Sequence, residues 1–413
     1  MNKQFIGRTL LILQCLSPSL SLAAVHSDSL QTSKQLSLHA IVEHTFERHP
    51  NLQVLTARIQ EAEALSKAAN TLLAGSPAVI LRHQTDQLGS RGGLREWEAG
   101  LEMPLWFPAQ KAARQYLAEQ AQQNVPIAKT ALSLLIAGQV REYLWEIAWQ
   151  KNLLALSAQE MNAAKAIENK VRRRFELGEL ARTDLLLAQE DSLRKQTALL
   201  NVQTEVQHAQ KRYELFTGLK QIPESYQEKL STLEEIGLEH PFLNQAQSKV
   251  LHAQAQIQVS RAEKRENPQI LLGMRRERSN VPESYQDSIG LSVRIPLGSE
   301  AHAATRITAA ERIQAELQSE RDLLKRELEI ALHEAGHMLN TYRETLVLAK
   351  QQHQLAQENL RLTRQAFEMG EADLVSLQRV QALAFAAERT ALQQNLAVQR
   401  AISRYNQAVG VLP

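Results

Sequence analysis

The sequence repeats itself. At a shift of 192 positions much of the chain aligns with itself without a gap, so whatever one half folds into, the other half folds into again. Phe175-Glu176-Leu177-Gly178-Glu179 falls on Phe367-Glu368-Met369-Gly370-Glu371, Gln189 on Gln381, Arg212-Tyr213 on Arg404-Tyr405, Gly218 on Gly410, and Pro104-Leu105 on Pro296-Leu297. At a shift of 191, His49-Pro50 falls on His240-Pro241 and Pro77 on Pro268, so one residue of slippage separates these blocks. One repeat occupies residues 30–219 and the other residues 220–413.

Each repeat reads as a helix, two short strands and a long helical hairpin. The strands fall at about 77–105 and 268–297, and the hairpins at 109–218 and 300–409. Ala109 to Glu176 is 68 residues; at about 1.5 Å per residue a helix of that length reaches roughly 100 Å, which no compact globule accommodates. Pro126, lacking the backbone donor that an inner turn needs, is expected to kink or interrupt it. Sixteen Gly and twelve Pro in 413 residues, with 5% aromatic content, suit long helices joined by narrow seams. Leu324, Leu328, Ala331, Ala335, Met338, Tyr342 and Thr345 alternate steps of four and three, which predicts a heptad seam on the second repeat's long helix.

Residues 1–24 have the layout of a secretory signal peptide: Lys3 and Arg8, an apolar run from Thr9 to Leu22, then Ala23-Ala24. Its removal discards Cys15, the only cysteine, and excludes disulfides and thiolate metal sites. Gln14 stands where a lipidated cysteine needs a small residue. The charge balance falls from 47 against 45 to 45 against 45, which gives no electrostatic case for nucleic acid. No later apolar run reaches the roughly 18 to 20 residues of a membrane-spanning helix, so any bilayer crossing must be made by strands.

The strands fit that role. Trp97, Ala99, Leu101, Met103 and Leu105 alternate with Glu96, Glu98, Gly100, Glu102 and Pro104. Ile289, Leu291, Val293, Ile295 and Leu297 alternate in the same register with Ser288, Gly290, Ser292, Arg294 and Pro296. About ten residues of such alternation lets one face meet lipid and the other water. Four strands cannot close a barrel, so several chains must contribute to one.

In order and duplication, the His-Pro helix start, the strand hairpin ending in Pro-Leu, the Phe-Glu-x-Gly-Glu turn, Asp184-Leu185-Leu186-Leu187-Ala188-Gln189 and the closing Gly410-Val411-Leu412-Pro413 resemble the TolC family of outer membrane efflux proteins. That resemblance covers the mature chain. It implies a mainly α protein with a membrane β-barrel contribution: a homotrimer whose four strands per chain close a 12-stranded barrel in outer membrane lipid, continued by a helical barrel through the periplasm. It also implies a passive duct without cofactor or catalysis, served by a periplasmic adaptor protein and an inner-membrane pump. Leu177, Gly178, Glu179, Met369, Gly370 and Glu371 are its expected adaptor-docking tips. Arg182, Thr183, Asp184, Asp373, Ser376 and Arg379 are its expected periplasmic gate, where Ser376 and Arg379 replace the acidic residues usual in the family. Segments such as Gly370-Glu371-Ala372-Asp373-Leu374 are similar to members that serve heavy-metal pumps, and drug efflux and type I protein secretion remain open alternatives.

A competing chemistry is written into the second repeat. His333-Glu334-Ala335-Gly336-His337 matches His-Glu-x-x-His, in which two imidazoles one turn apart share a zinc ion and the glutamate activates water. Asn340 and Arg343 stand where an extended zinc motif requires Gly and His. Glu358, the nearest further ligand considered, is displaced roughly 31 Å along the same helix. Solvated histidines, with no metal site and no enzyme, are the favoured reading, and an exported zinc hydrolase using His333, Glu334 and His337 is the alternative.

Overall fold

Stretches rich in Ala, Leu, Gln, Glu and Arg favour helix, and here they build helices whose length sets the shape of everything else. The computed structural model describes residues 30–297 and 300–413, so the expected signal segment lies outside the described residues. In chain order the elements are β1 (Gln31–Ser33), α1 (Leu38–Arg48), α2 (Asn51–Ala69), β2 (Ala78–Thr85), β3 (Arg95–Pro104), α3 (Pro108–Glu176), α4 (Arg182–Thr217), β4 (Gln221–Pro223), α5 (Pro241–Ala262), β5 (Gln269–Arg278), β6 (Gln286–Arg294), α6 (Glu300–Met369) and α7 (Leu374–Ala408). The order α2-β2-β3-α3-α4 recurs as α5-β5-β6-α6-α7. The 69 residues of α3 and the 70 of α6 each span roughly 100 Å.

These two helices run the length of a four-helix wall. Toward the strands its order is α2, α3, α5, α6; toward the hairpin turns it is α4, α3, α7, α6. Midway, α1 and the parallel pair β1–β4 cover α3 and α4. Ile41, Val42, Ile136, Val140, Leu144 and Tyr213 form the core beneath them. The Tyr213 hydroxyl donates to the Gln221 carbonyl at 3.0 Å, and burial pushes its phenol up to about 12. Arg141, 3% exposed, forks onto Glu228 at 2.6 and 2.9 Å and also donates to Gln407 and to the Val411 carbonyl. One guanidinium thereby pins the inter-repeat connector and the C-terminal segment to the middle of α3.

Three expectations need correction. First, α3 is helical through Pro126, so of the expected kink or interruption the interruption does not occur. The ring costs about 3 kcal/mol in a lost bond and a clash, but the buried run from Ala128 to Leu144 that follows holds the helix in the wall. Second, the expected seam on α6 is not the buried one. Leu332, Leu339, Ala349, Leu360 and Phe367 are buried, whereas Leu328, Ala331, Ala335, Met338 and Tyr342 line an open groove with Trp149 and Leu396. That stripe is half-buried in a groove against α7 and α3, where Tyr342 packs on Leu339, Val398 and Ala401 and the Thr345 hydroxyl donates to Gln394 at 3.1 Å. Third, Leu105 and Ile295 fall one residue beyond β3 and β6, although the Leu105 N–H still donates to the Pro268 carbonyl at 2.7 Å. The first repeat also carries an additional helix, α1, set off from α2 at His49-Pro50.

Candidate functional site: the strand face and the hairpin turns

The four long strands form one antiparallel sheet in the order β2-β3-β5-β6. Its register stacks like with like. Val79, Leu101, Leu272 and Leu291 make one cross-strand row, and Leu81, Ala99, Met274 and Ile289 the next. Met103, Ile270 and Val293 continue the same face toward the helices. The opposite face is polar, with rows Arg82-Glu98-Arg275-Ser288 and Gln84-Glu96-Glu277-Gln286.

Exposure inverts the usual rule for a soluble protein. Trp97 is 56% exposed while its neighbour Glu96 is 6% exposed. Leu101, Leu272, Ile289, Leu291 and Val293 are exposed as well. Arg275 meets Glu96 at 2.9 Å and Glu277 at 2.6 Å, so the polar face is internally paired. Gly100, Gly273 and Gly290 continue from Ile80 as one row on that face. Among the described residues neither β2 nor β6 has a partner on its outer edge.

At the other end of the wall, both hairpins reverse at glycine. Gly178 and Gly370 sit at φ +79° and +81°, the left-handed region that an L side chain avoids. The N–H of Glu179 donates to the Arg174 carbonyl and that of Glu371 to the Ala366 carbonyl, both at 2.8 Å, which satisfies the last carbonyls of each helix. Leu177 and Met369 stand exposed beside them. The next helices are capped by two halves of one device: Asp184 accepts from the Ala181 N–H at 3.2 Å, and Asp373 from the Ser376 N–H at 2.6 Å. The Ser376 amide holds the Asp373 carboxyl below its ordinary range. Among the described residues neither Arg182 nor Arg379 makes an ion pair with either aspartate, although the charge of Arg379 also helps to hold the Asp373 carboxyl low. Thr183, like Arg182, is exposed in the first turn of α4.

What ties the two tips together was not among the residues singled out from sequence. Lys170 meets Glu368 at 2.6 Å, which holds the Glu368 carboxyl low. Arg174 pairs with Glu179 at 3.0 Å and lies 5.5 Å from the centre of the Phe367 ring. Farther along, buried Glu160 joins three helices through Lys195 at 2.6 Å and Arg389 at 2.8 Å. The only sequence hint was the run of bases from Lys170 to Arg174 ahead of the first Phe-Glu, facing an acid in the second.

His333 and His337 lie one turn apart with ring centres 4.5 Å from each other, both exposed. No cluster of three or more His, Cys, Asp or Glu side chains positioned for a metal occurs among the described residues. In the 192-residue register these histidines are the counterparts of Arg141 and Trp145, and Glu334 is the counterpart of Glu142. The motif thus marks where the first repeat carries its anchor and the second does not.

Residues 232–411 match the family described as outer membrane efflux protein. No curated protein matches the sequence. The whole fold is similar to solved structures. CusC, studied for conformational changes accompanying folding and transmembrane channel formation, shares 16% identity with a TM-score of 0.72, covering 91% of this chain and 92% of that one. The outer membrane protein VceC of Vibrio cholerae shares 13% with a TM-score of 0.72, covering 91% and 97%. The CmeC outer membrane channel of Campylobacter jejuni shares 14% with a TM-score of 0.71, covering 98% and 94%.

Proposed function

We propose that this chain is an outer membrane efflux protein, one subunit of a trimeric duct in a tripartite efflux system, with its strands in the outer membrane and its helices in the periplasm. The observation that carries the reading is the sheet: an exposed apolar face, an internally paired polar face and two unpartnered edges. Open edges are intolerable in lipid. Pairing β6 of one copy with β2 of the next removes them all, and three copies supply twelve strands. In that barrel Trp97, Leu101, Met103, Leu105, Ile289, Leu291, Val293 and Ile295 face lipid, and the Glu96–Arg275–Glu277 cluster faces water.

The helices support the same closure. Leu186, Leu193 and Leu200 recur every seventh residue, exposed, on α4 at one edge of the wall. Leu348, Leu355, Leu362 and Met369 do so on α6 at the other. The turns then form the periplasmic tip, where Leu177, Gly178, Glu179, Met369, Gly370 and Glu371 meet an adaptor that couples the duct to an inner-membrane pump. We place the constriction in the first turns of α4 and α7. Asp184 and Asp373 are engaged at helix N-termini there, which leaves Arg182 and Arg379 as the charges facing the passage. Small toxic compounds, heavy-metal ions among them, are the cargo that the second repeat's Gly-Glu-Ala-Asp-Leu segment favours.

The test is assembly followed by docking. Extracted from outer membranes, the protein should run as a trimer and conduct in planar bilayers; a monodisperse periplasmic monomer would end the reading. Glu371→Lys, at a side chain with no ion pair among the described residues, should leave the trimer intact, abolish efflux and be rescued by a charge change in the adaptor. Undiminished efflux and crosslinking would remove the turns from the interface.

A further inference from the structure

The sheet treats its arginines differently on its two faces. Arg275, on the polar face, has two carboxylates within 3 Å. On the apolar face, at the end away from the helices, Arg95, Arg276 and Arg278 have one carboxylate among them: Asp287, 3.6 Å from Arg276. Arg95 and Arg278 are Cα partners across the β3–β5 ladder, in adjacent strands and on the same face. Like charges placed directly opposite destabilise a sheet unless an anion lies between them. Neither makes an ion pair among the described residues, and Nε of Arg278 is buried without a hydrogen-bond partner. Tyr285, one residue before β6, steadies the group, with the guanidinium carbons of Arg276 and Arg278 at 5.1 and 5.0 Å from its ring centre.

The depth of the cluster selects the ligand. The last wholly apolar row is Leu81-Ala99-Met274-Ile289. Next comes His83-Trp97-Arg276-Asp287, an interfacial mixture of aromatic and charged residues, and then Thr85-Arg95-Arg278. Each row adds about 7 Å along the strand, so the guanidinium groups stand at headgroup level, above the hydrocarbon. Arginine forks match phosphate oxygens in charge and geometry.

From this we infer that Arg95, Arg276 and Arg278 form a site for the phosphate of a phosphorylated glycolipid in the outer leaflet, with its acyl chains lying on the Leu81-Ala99-Met274-Ile289 row. The inference rests on the outer membrane reading, because that reading places the strand turns at the cell exterior. Three copies of the chain give three such sites around the barrel.

Native mass spectrometry of the detergent-solubilised trimer tests it, using bis-phosphorylated lipid A, its dephosphorylated form and inorganic phosphate as probes. The phosphorylated lipid should bind, with affinity at least tenfold lower in the Arg95→Gln, Arg278→Gln double variant and unchanged in the Arg82→Gln, Arg275→Gln double variant, which removes the same charge from the polar face. Dephosphorylated lipid should bind the native trimer as weakly as phosphorylated lipid binds the double variant, and millimolar phosphate should not displace the lipid. Equal binding of the two lipids, or no loss in the double variant, overturns the site; displacement by phosphate makes it a free-anion site instead. A trimer that ignores the lipid phosphate defeats only this inference, whereas a soluble monomer defeats the duct reading as well.

Discussion

α3 and α6 are counterparts in the duplication and almost equal in length, yet they live in different surroundings. α3 lies inside the wall, with α2 and α4 on one side, α5 and α7 on the other, and α1 across its middle. α6 packs chiefly on α5 and α7 and leaves a row of leucines in the open. The same ancestral helix has thus become a core element in one repeat and an edge in the other. An edge that keeps its leucines is an edge that expects a neighbour.

The largest effect should come from breaking that edge. Leu355→Asp with Leu362→Asp puts two carboxylates on the exposed stripe, where they are harmless in a monomer and must be desolvated between copies. The double variant should keep its helical circular dichroism and lose more than nine-tenths of its trimer in native mass spectra. A single Val140→Asp, at a fully buried site on α3, should instead lose the fold itself. If the α6 variant assembled normally, the stripe would not be a seam between copies and α6 would face solvent in the assembly.

The next effect sharpens the comparison at a single register position. Arg141→Ala strands Glu228 and the Val411 carbonyl, and removal of one partner from a buried pair costs about 3 kcal/mol. His333→Ala, at the matching position on α6, should change stability by less than about 0.5 kcal/mol. Urea titrations of the two variants, monitored by circular dichroism, make the measurement. Equal losses would show that the second repeat has an anchor of its own at His333.

How much of this could be read from the chain follows from the same contrast. The duplication, the long helices and the alternating strands were legible because each is a local pattern of fixed period, carried by neighbours such as Trp97 and Glu96. Which stripe of α6 is buried was not, since Leu332 and Leu328 are equally apolar and only the identity of the packing partner separates them. Pro126 read as a kink or a break because propensity is local, whereas the wall that carries the helix through is tertiary. Among the site residues, the turns at Gly178 and Gly370 announced themselves by repetition. The ties Lys170–Glu368 and Arg174–Phe367 did not, because they join side chains almost two hundred positions apart and ion pairs leave no periodic trace.

The smallest effect lies where the repeats begin, at two histidines that do the same local job in different settings. His49 accepts from the Asn51 N–H and His240 from the Phe242 N–H, each through Nδ1 at 3.2 Å, so each ring caps the start of a helix. His240, however, is 3% exposed, with Gly410 packed against its ring. Protonating it would bury a charge and turn an acceptor into a donor aimed at another donor. Burial accordingly pushes its imidazole below the ordinary value of 6.5. The sign follows from linkage: the unfolded chain takes up a proton near pH 6.5 that the folded chain refuses until lower pH. Stability is therefore whole above 6.5 and is lost as pH falls from there to the folded value. His252, also pushed down by burial, adds to the same slope. His240→Asn keeps an acceptor for the cap and removes the titration, so its urea midpoint should fall less than that of the native protein between pH 7 and pH 5.5. Identical slopes for the two proteins would show that the buried ring takes its proton as readily folded as unfolded.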